Sequence, residues 1–113
     1  MERDKIQAIM NVGKDEQIAG MWISKHIPGT GYYKLLAKEK KDGTCEWVHF
    51  IQRDDGTKEK FYTGETKNSE ELKLVLQVMN GVLAKTFGKE IQMEKGNPNI
   101  YSTDGIKANK SIN

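Results

Sequence analysis

The fold of this 113-residue chain is decided by residues 32–64, which read YYKLLAKEKKDGTCEWVHFIQRDDGTKEKFYTG. Two Asp-Gly pairs, Asp42-Gly43 and Asp55-Gly56, divide the stretch into three runs that are typical of strands. Asp-Gly between such runs is a strong hairpin signal. The stretch therefore predicts three consecutive antiparallel strands, near 32–40, 45–53 and 58–64.

The loop length of the two hairpins fixes which side chains share a face of the sheet. With two-residue loops, Lys41 pairs with Thr44 and Asp54 pairs with Thr57, and all other pairs follow by counting outward. One face is then predicted to be an apolar core that contains Tyr33, Leu35, Ala37, Val48, Phe50, Phe61 and Thr63. The other face is predicted to carry Tyr32, Lys34, Leu36, Lys38, Lys40, Cys45, Trp47, His49, Ile51, Arg53, Lys58, Lys60 and Tyr62.

The segments around this meander complete the predicted architecture. Helical spacing of apolar residues over 4–12 predicts a short N-terminal helix, and residues 21–27 predict a strand. Asn68 or Ser69 begins a long helix that ends near Phe87, before Gly88. One more short strand is predicted over 90–94. The predicted fold is α+β, with a three- to four-stranded antiparallel meander packed on one long helix.

The long helix has more apolar surface than a three-stranded sheet can cover. Its central stripe is widened on one side by further aliphatic residues. The uncovered part meets either the N-terminal segment or a second copy of the chain, so a homodimer through residues 69–87 is one expectation. The stripe consists of Leu72, Val75, Leu76, Met79, Leu83 and Phe87, and the widening residues are Leu74, Val78 and Val82.

Bulk properties predict one domain over 1–94 and a flexible, basic tail over 95–113. The single cysteine permits no intrachain disulfide, which favours a reducing, cytoplasmic setting. No apolar run approaches the roughly 20 residues that span a bilayer, so no membrane association is predicted. The net charge of +2 is too small to indicate a nucleic-acid partner without a favourable distribution.

No catalytic, metal or cofactor signature is present, and the chain is not predicted to be an enzyme. Cys45 and His49 lie on one face of a strand but about 13 Å apart along it, too far to share a metal ion. Nothing supplies a base that would activate Cys45 as a nucleophile. The Gly29-Thr30-Gly31 loop lacks the rest of a phosphate-binding fingerprint.

The mixed face of the sheet carries the functional prediction. Cations interleaved with flat rings are typical of proteins that bind single-stranded nucleic acids, because cations track phosphates while rings stack on bases. A sheet selected only for stability would more often place carboxylates opposite these cations. The predicted nucleic-acid-binding residues are Tyr32, Lys34, Lys38, Lys40, Trp47, His49, Arg53, Lys58, Lys60 and Tyr62.

Two other interpretations of this face remain open. The aromatic and aliphatic residues on it form a second small core if Met21, Trp22 and Ile27 cover them, with the lysines merely protecting the sheet from aggregation. Alternatively, the chain is a small protein-interaction module, an inhibitor or adaptor, that binds an acidic protein. Salt-dependent binding to oligonucleotides separates a nucleic-acid partner from a protein partner.

Two families share parts of this pattern. The order of strands and helix, with residues 50–53 in a strand and 68–72 opening a helix, resembles the positive-cofactor family of single-stranded DNA-binding proteins over about half the chain. The basic Gly-Lys run of that family is replaced here by residues 62–67. A helix, three strands and a helix resemble the double-stranded RNA-binding domain, but Glu70 and Glu71 stand where that domain is basic. Neither resemblance identifies the chain as a member.

Overall fold

A computed structural model describes residues 9–88 and 91–96, together with the backbone of residues 106–108. The elements follow the predicted order of meander and helix. Seven strands, one 3-10 turn and one α-helix are present in this part of the chain. They are β1 (Met10–Val12), β2 (Gln17–Ile23), β3 (Gly31–Glu39), β4 (Cys45–Arg53), β5 (Lys58–Thr66), the 3-10 turn Ser69–Glu71, α1 (Leu72–Phe87), β6 (Glu94–Lys95) and β7 (Ile106–Ala108).

The α+β class is confirmed, but the sheet is larger than predicted. Its five antiparallel strands have the order β5-β4-β3-β2-β6, and β1 pairs separately with β7 in parallel. The fifth strand is β6, whose two residues pair with Trp22 and Ile23 of β2. The N-terminal helix is not confirmed, because Met10–Val12 form β1 and residues 4–8 lie outside the described part. Most of the predicted tail, 95–113, also lies outside it.

Both hairpins have three-residue loops, so the predicted register of the sheet is wrong by one residue. Lys40 N–H donates to Thr44 O (2.8 Å), and Arg53 N–H donates to Thr57 O in the same way (2.8 Å). Each loop contains a glycine with φ near +90°, as this type of hairpin requires. The loop Asp also accepts hydrogen bonds from the backbone and hydroxyl of the Thr two residues on, which favours the longer loop.

A β-bulge in β5 then compensates for part of this shift. Phe50 lies opposite Lys60 and His49 lies opposite Tyr62, so Phe61 is the extra residue. The predicted pairs His49–Tyr62 and Val48–Thr63 are therefore confirmed, whereas the predicted pair of Phe50 with Phe61 is wrong. The bulge places the side chains of Phe61 and Tyr62 on the same face of the sheet, the face that α1 covers.

The one predicted core is divided between the two faces of the sheet. On the face toward α1, Leu35 packs with Met79 and Leu83, and Ala37 packs with Leu72. On the opposite face, which we call the back face, a second core surrounds Phe50. This second core contains Ile9, Met10, Met21, Leu36, Val48 and Phe50. The predicted second core is thus partly right, because Met21 belongs to it, but Trp22 packs on the helix side.

The ends of the helical segment agree with the prediction. Asn68 Oδ1 accepts a hydrogen bond from Glu71 N–H (3.1 Å) at the start of the 3-10 turn. Gly88 ends α1 in the left-handed conformation (φ 70°), and its N–H donates to Ala84 O (2.9 Å). These local signals fix the length of α1, and its buried residues then hold it across β2, β3 and β4.

Candidate functional site

The ten predicted nucleic-acid-binding residues do not share one face. Because side chains alternate along a strand, the one-residue shift separates the β3 residues from their predicted β4 neighbours. The back face carries Tyr32, Lys34, Lys38, Lys40, Lys58 and Lys60. The face toward α1 carries Trp47, His49, Arg53 and Tyr62.

The back face also holds carboxylates, contrary to the prediction. Lys38 Nζ lies 2.8 Å from Glu16 Oε1 and 3.6 Å from Glu46 Oε1. Lys40 Nζ lies 3.1 Å from Glu46 Oε2 and 2.8 Å from Glu65 Oε2. The hydrogen bonds to Glu65 and Glu46 raise the pKa of Lys40, and the bond from Lys40 lowers the pKa of Glu65. These lysines therefore have internal counter-charges.

Two more of the predicted cations have internal partners. Lys34 is buried and donates to the side chain of Gln52. Arg53 pairs with Glu59 on the face toward α1. Within the described residues, Lys58 and Lys60 are the predicted cations whose side chains have neither an ion pair nor a hydrogen bond. The predicted row of free positive charges is thus reduced to two lysines on β5.

Two of the predicted rings, His49 and Tyr62, instead form part of an aromatic cluster on the α1 side. Tyr33 stacks on His49 (centroids 5.8 Å apart) and on Phe61 (5.9 Å), and Phe87 meets Tyr33 edge-on (5.8 Å). His49 and Tyr62 are nearly parallel, with centroids 6.0 Å apart and an interplanar angle of 4°. Sequence reasoning missed Tyr33, Phe61 and Phe87 as members, since their proximity depends on the bulge and on α1.

His49 is the chemically unusual member of this cluster. It is 1% exposed, and neither ring nitrogen has a hydrogen-bond partner among the described residues. Burial lowers its pKa to about 4. The neutral ring is therefore enclosed by aromatic side chains with its donor and acceptor both unsatisfied, an arrangement that costs about 1–3 kcal/mol for each group.

We expect the stability of the protein to depend on pH through His49. The unfolded chain, with an imidazole pKa near 6.5, binds a proton that the folded chain excludes until about pH 4. The free energy of unfolding should therefore be highest above pH 6.5 and fall by about 1.4 kcal/mol per pH unit between these values. Urea denaturation at pH 7.5, 6 and 5 measures this fall. His49→Phe should be more stable and show a flatter profile; an equal slope in this variant would contradict the assignment.

Four of the five large apolar side chains that are at least 40% exposed in the described part of the chain lie on α1 or β5, and the fifth, Tyr32, lies on the back face. Phe61 and Tyr62 of β5 are 40% and 51% exposed, and Leu74 and Val78 of α1 are 61% and 58% exposed. We call these four residues the α1–β5 surface. Leu74 and Val78 are among the residues that widen the predicted helix stripe. The sequence therefore indicated that the helix has more apolar surface than the sheet covers, but not where the exposed residues lie.

The orientation of α1 turns the flank that carries Val78 toward β5, whereas Leu74, about 180° around the helix from the buried Leu83, points away from the sheet. Met93 N–H donates to Asn80 Oδ1 (2.9 Å), and Met93 immediately precedes β6 at the far side of the sheet. The flank with Asn80 therefore faces β2 and β6. Since successive helix residues are rotated by about 100°, the flank that contains Val78 faces the opposite way, toward β4 and β5.

Trp47 packs between the start of α1 and β5. It is half-buried beside Trp22 and Leu72 under α1. Its ring lies over Gly64 of β5, where a Cβ atom added to the glycine would fall only 2.6 Å from Trp47 Cζ2. Because Gly64 has no side chain, the ring of Trp47 packs directly on the backbone of β5. Trp47 is therefore a packing residue and not an exposed ring on which bases could stack.

A histidine and an aspartate are paired at the end of the sheet where β3 begins and β4 ends. His26 Nε2 is 2.7 Å from Asp54 Oδ1, and both side chains are about half-exposed. His26 lies at a groove of about 540 Å³ that Pro28, Phe87 and Ile91 also line.

No cluster of three metal-ligating side chains occurs in the described part of the chain. Burial raises the pKa of Cys45, which disfavours its reactive thiolate form. The absence of enzyme activity stays a prediction.

Comparison with known proteins adds no further constraint. No helix among the described residues is long and apolar enough to cross a membrane. No family model matches the chain, and neither the curated proteins nor the solved structures include one with significant similarity to it. What the chain does must therefore be inferred from the geometry of the α1–β5 surface and the charges around it.

Proposed function

We propose that this chain is a small, non-enzymatic protein-interaction module that binds an apolar segment of another protein on the α1–β5 surface. The observation that carries the proposal is the exposure of Phe61 and Tyr62 on β5 and of Leu74 and Val78 on α1, each at least 40%. The Val78 flank of the helix is the one turned toward β5. Large exposed apolar patches that are bordered by polar residues commonly mark interaction sites.

The two aromatic side chains of this surface pack on other rings of the aromatic cluster. Tyr62 stacks on the buried His49, and Phe61 stacks on Tyr33, which Phe87 holds in turn. Side chains that are already held in place lose little conformational entropy when a partner binds. Aromatic residues in such positions are frequent energetic centres of protein interfaces.

The charges favour this proposal over binding of single-stranded nucleic acids. A single-strand site needs free cations beside exposed stacking rings. Here Lys38 and Lys40 are paired with carboxylates on the back face, whereas Tyr62 lies on the α1 side. The expected acidic partner loses its support for the same reason, so the partner is recognised by its apolar side chains.

Selection from a random peptide library displayed on phage tests the proposal. We expect the selected peptides to contain several large apolar residues and to bind the purified full chain. Val78→Glu and Tyr62→Ser should each weaken this binding at least about tenfold, because a charge or a lost ring removes a contact at the centre of the surface. Gln77→Glu is the matched control: it introduces the same carboxylate on the other side of α1 and should leave binding unchanged.

The same preparation should be titrated with a fluorescent single-stranded oligonucleotide at low salt. No measurable binding is expected. If the oligonucleotide binds, if Lys58→Glu and Lys60→Glu abolish this binding, and if no peptide is selected, the protein-interaction proposal is wrong and the nucleic-acid prediction is right.

A further inference from the structure

The outer edge of β5 can accept another strand. β5 is nine residues long and pairs only with β4 among the described residues, so its other edge has no strand partner there. Most of its residues are exposed. A long edge strand with free N–H and C=O groups is a template for pairing with another strand.

The register of β5 shows which backbone groups point outward. The hairpin closes with the hydrogen-bonded pair of Arg53 and Thr57, and such pairs recur at every second residue of an antiparallel ladder. Counting through the bulge, the residues bonded to β4 are Glu59, Tyr62, Gly64 and Thr66. The residues with outward N–H and C=O groups are therefore Lys58, Lys60, Thr63 and Glu65.

These four residues are arranged symmetrically about the bulge, and this arrangement allows β5 to pair with itself. We propose that two copies of the chain form a dimer by antiparallel β5–β5 pairing, with the two-fold axis between Phe61 and Tyr62. Lys58 then lies opposite Glu65 of the second copy, and Lys60 lies opposite Thr63. All four side chains are on the back face, and symmetry makes each pair twice.

Charge and the number of outward pairs together favour this register over its alternatives. Opposite charges directly across a strand pair are favourable, and like charges are unfavourable. A register centred on the first half of β5 places Lys58 opposite Lys60 and forms only two outward pairs. The register centred on the bulge forms four outward pairs and opposes no like charges. It also sets Phe61 against Tyr62 of the second copy on the α1 side, where aromatic cross-strand pairs add stability.

Dimer formation would change the shape of the proposed binding surface. Whether the dimer forms does not depend on the proposed function, but its use in binding a partner rests on that function. A two-fold axis perpendicular to the sheet places both α1 helices on the same side. The two α1–β5 surfaces then become one groove. Its floor is formed by Phe61 and Tyr62 of both copies, and its walls carry Leu74 and Val78. An apolar segment would be enclosed from two sides instead of one.

Charge reversal across the axis tests the dimer. Analytical ultracentrifugation of the full chain should show a dimer, and Lys58→Glu should weaken association about tenfold or more, because it creates two like-charged pairs. Glu65→Lys should do the same. A mixture of the two variants should associate again, since the two reversed charges then face each other and the second pair keeps its native Lys58 and Glu65. Lys41→Glu, the same reversal in the first hairpin loop, is the control and should remain dimeric.

A second test alters the backbone of β5 and leaves all charges unchanged. It is needed because Glu65 also bonds Lys40 within one copy. Thr63→Pro deletes one outward N–H and should yield a monomer, whereas Thr63→Val keeps this group and should remain dimeric. Circular dichroism melting confirms that each variant is folded. A wild type that stays monomeric at about 100 µM, or a dimer that all of these variants leave intact, overturns the proposal.

The outcomes separate the two proposals. If the Thr63→Pro monomer and the wild type bind the selected peptides equally, and the wild type is itself monomeric, the dimer is wrong and the proposed function stands. If the dimer forms as described but no peptide is selected, the dimer stands and the proposed function fails.

Discussion

Gly31→Ala is expected to lower the free energy of unfolding by about 3 kcal/mol or more, a large fraction of the roughly 5–15 kcal/mol that stabilises an ordinary domain. Gly31 begins β3 with φ at +135°, where alanine is strained. A Cβ atom there would lie 2.2 Å from Gln52 O and 2.8 Å from Arg53 Cα, both backbone atoms that cannot move aside without disturbing β4. Urea denaturation followed by tryptophan fluorescence measures the loss.

Gly43→Ala is the matched control for this prediction. Gly43 also has positive φ (91°), but no heavy atom lies within 4 Å of its added Cβ. Only the conformational penalty of about 1–2 kcal/mol then remains. Equal losses in the two variants would mean that the close approach of Gly31 to β4 does not exist in solution.

Phe50→Ala is expected to cost about 3–5 kcal/mol, whereas Phe61→Ala should cost less than about 1.5 kcal/mol. Phe50 is fully buried on the back face, where it packs in the same core as Met21, Leu36 and Val48, so its removal leaves a cavity. Phe61 is 40% exposed on the other face, and the solvent fills the space that it leaves. Thermal and urea unfolding of both variants measure the difference.

This comparison also distinguishes the two registers of the sheet. Two-residue hairpin loops would make Phe50 and Phe61 neighbours in one core, and both substitutions would then be severe. A similar large loss in both variants would therefore contradict the observed register. If Phe61→Ala instead leaves stability nearly unchanged but weakens peptide binding, the residue belongs to the α1–β5 surface.

Local signals in the sequence predicted the elements but not their faces. The Asp-Gly pairs located both hairpins, and Asn68 and Gly88 located the ends of the helical segment, because these residues act on the backbone next to them. Asp-Gly is compatible with loops of two or three residues, however. The choice depends on bonds such as that from Thr44 to Asp42, and a difference of one residue exchanges every face.

The candidate site could be predicted only in part for the same reason. Sequence reasoning singled out Tyr62 and the excess of aliphatic residues on the helix, which includes Leu74 and Val78. It placed Lys38 and Lys40 in a binding face because the shifted register hid Glu46 and Glu65, which pair with them. It placed Phe61 in the core because no local feature of the sequence indicates the β-bulge in β5.

The sequence by itself determined the α+β class, the positions of the turns and the extent of α1, since each depends on interactions among residues close together in the chain. Only the tertiary structure decided which rings lie beneath α1, which lysines have carboxylate partners and which apolar side chains face solvent. Side-chain direction in a sheet alternates with every residue, so contacts between distant segments, and not local preference, select one face over the other.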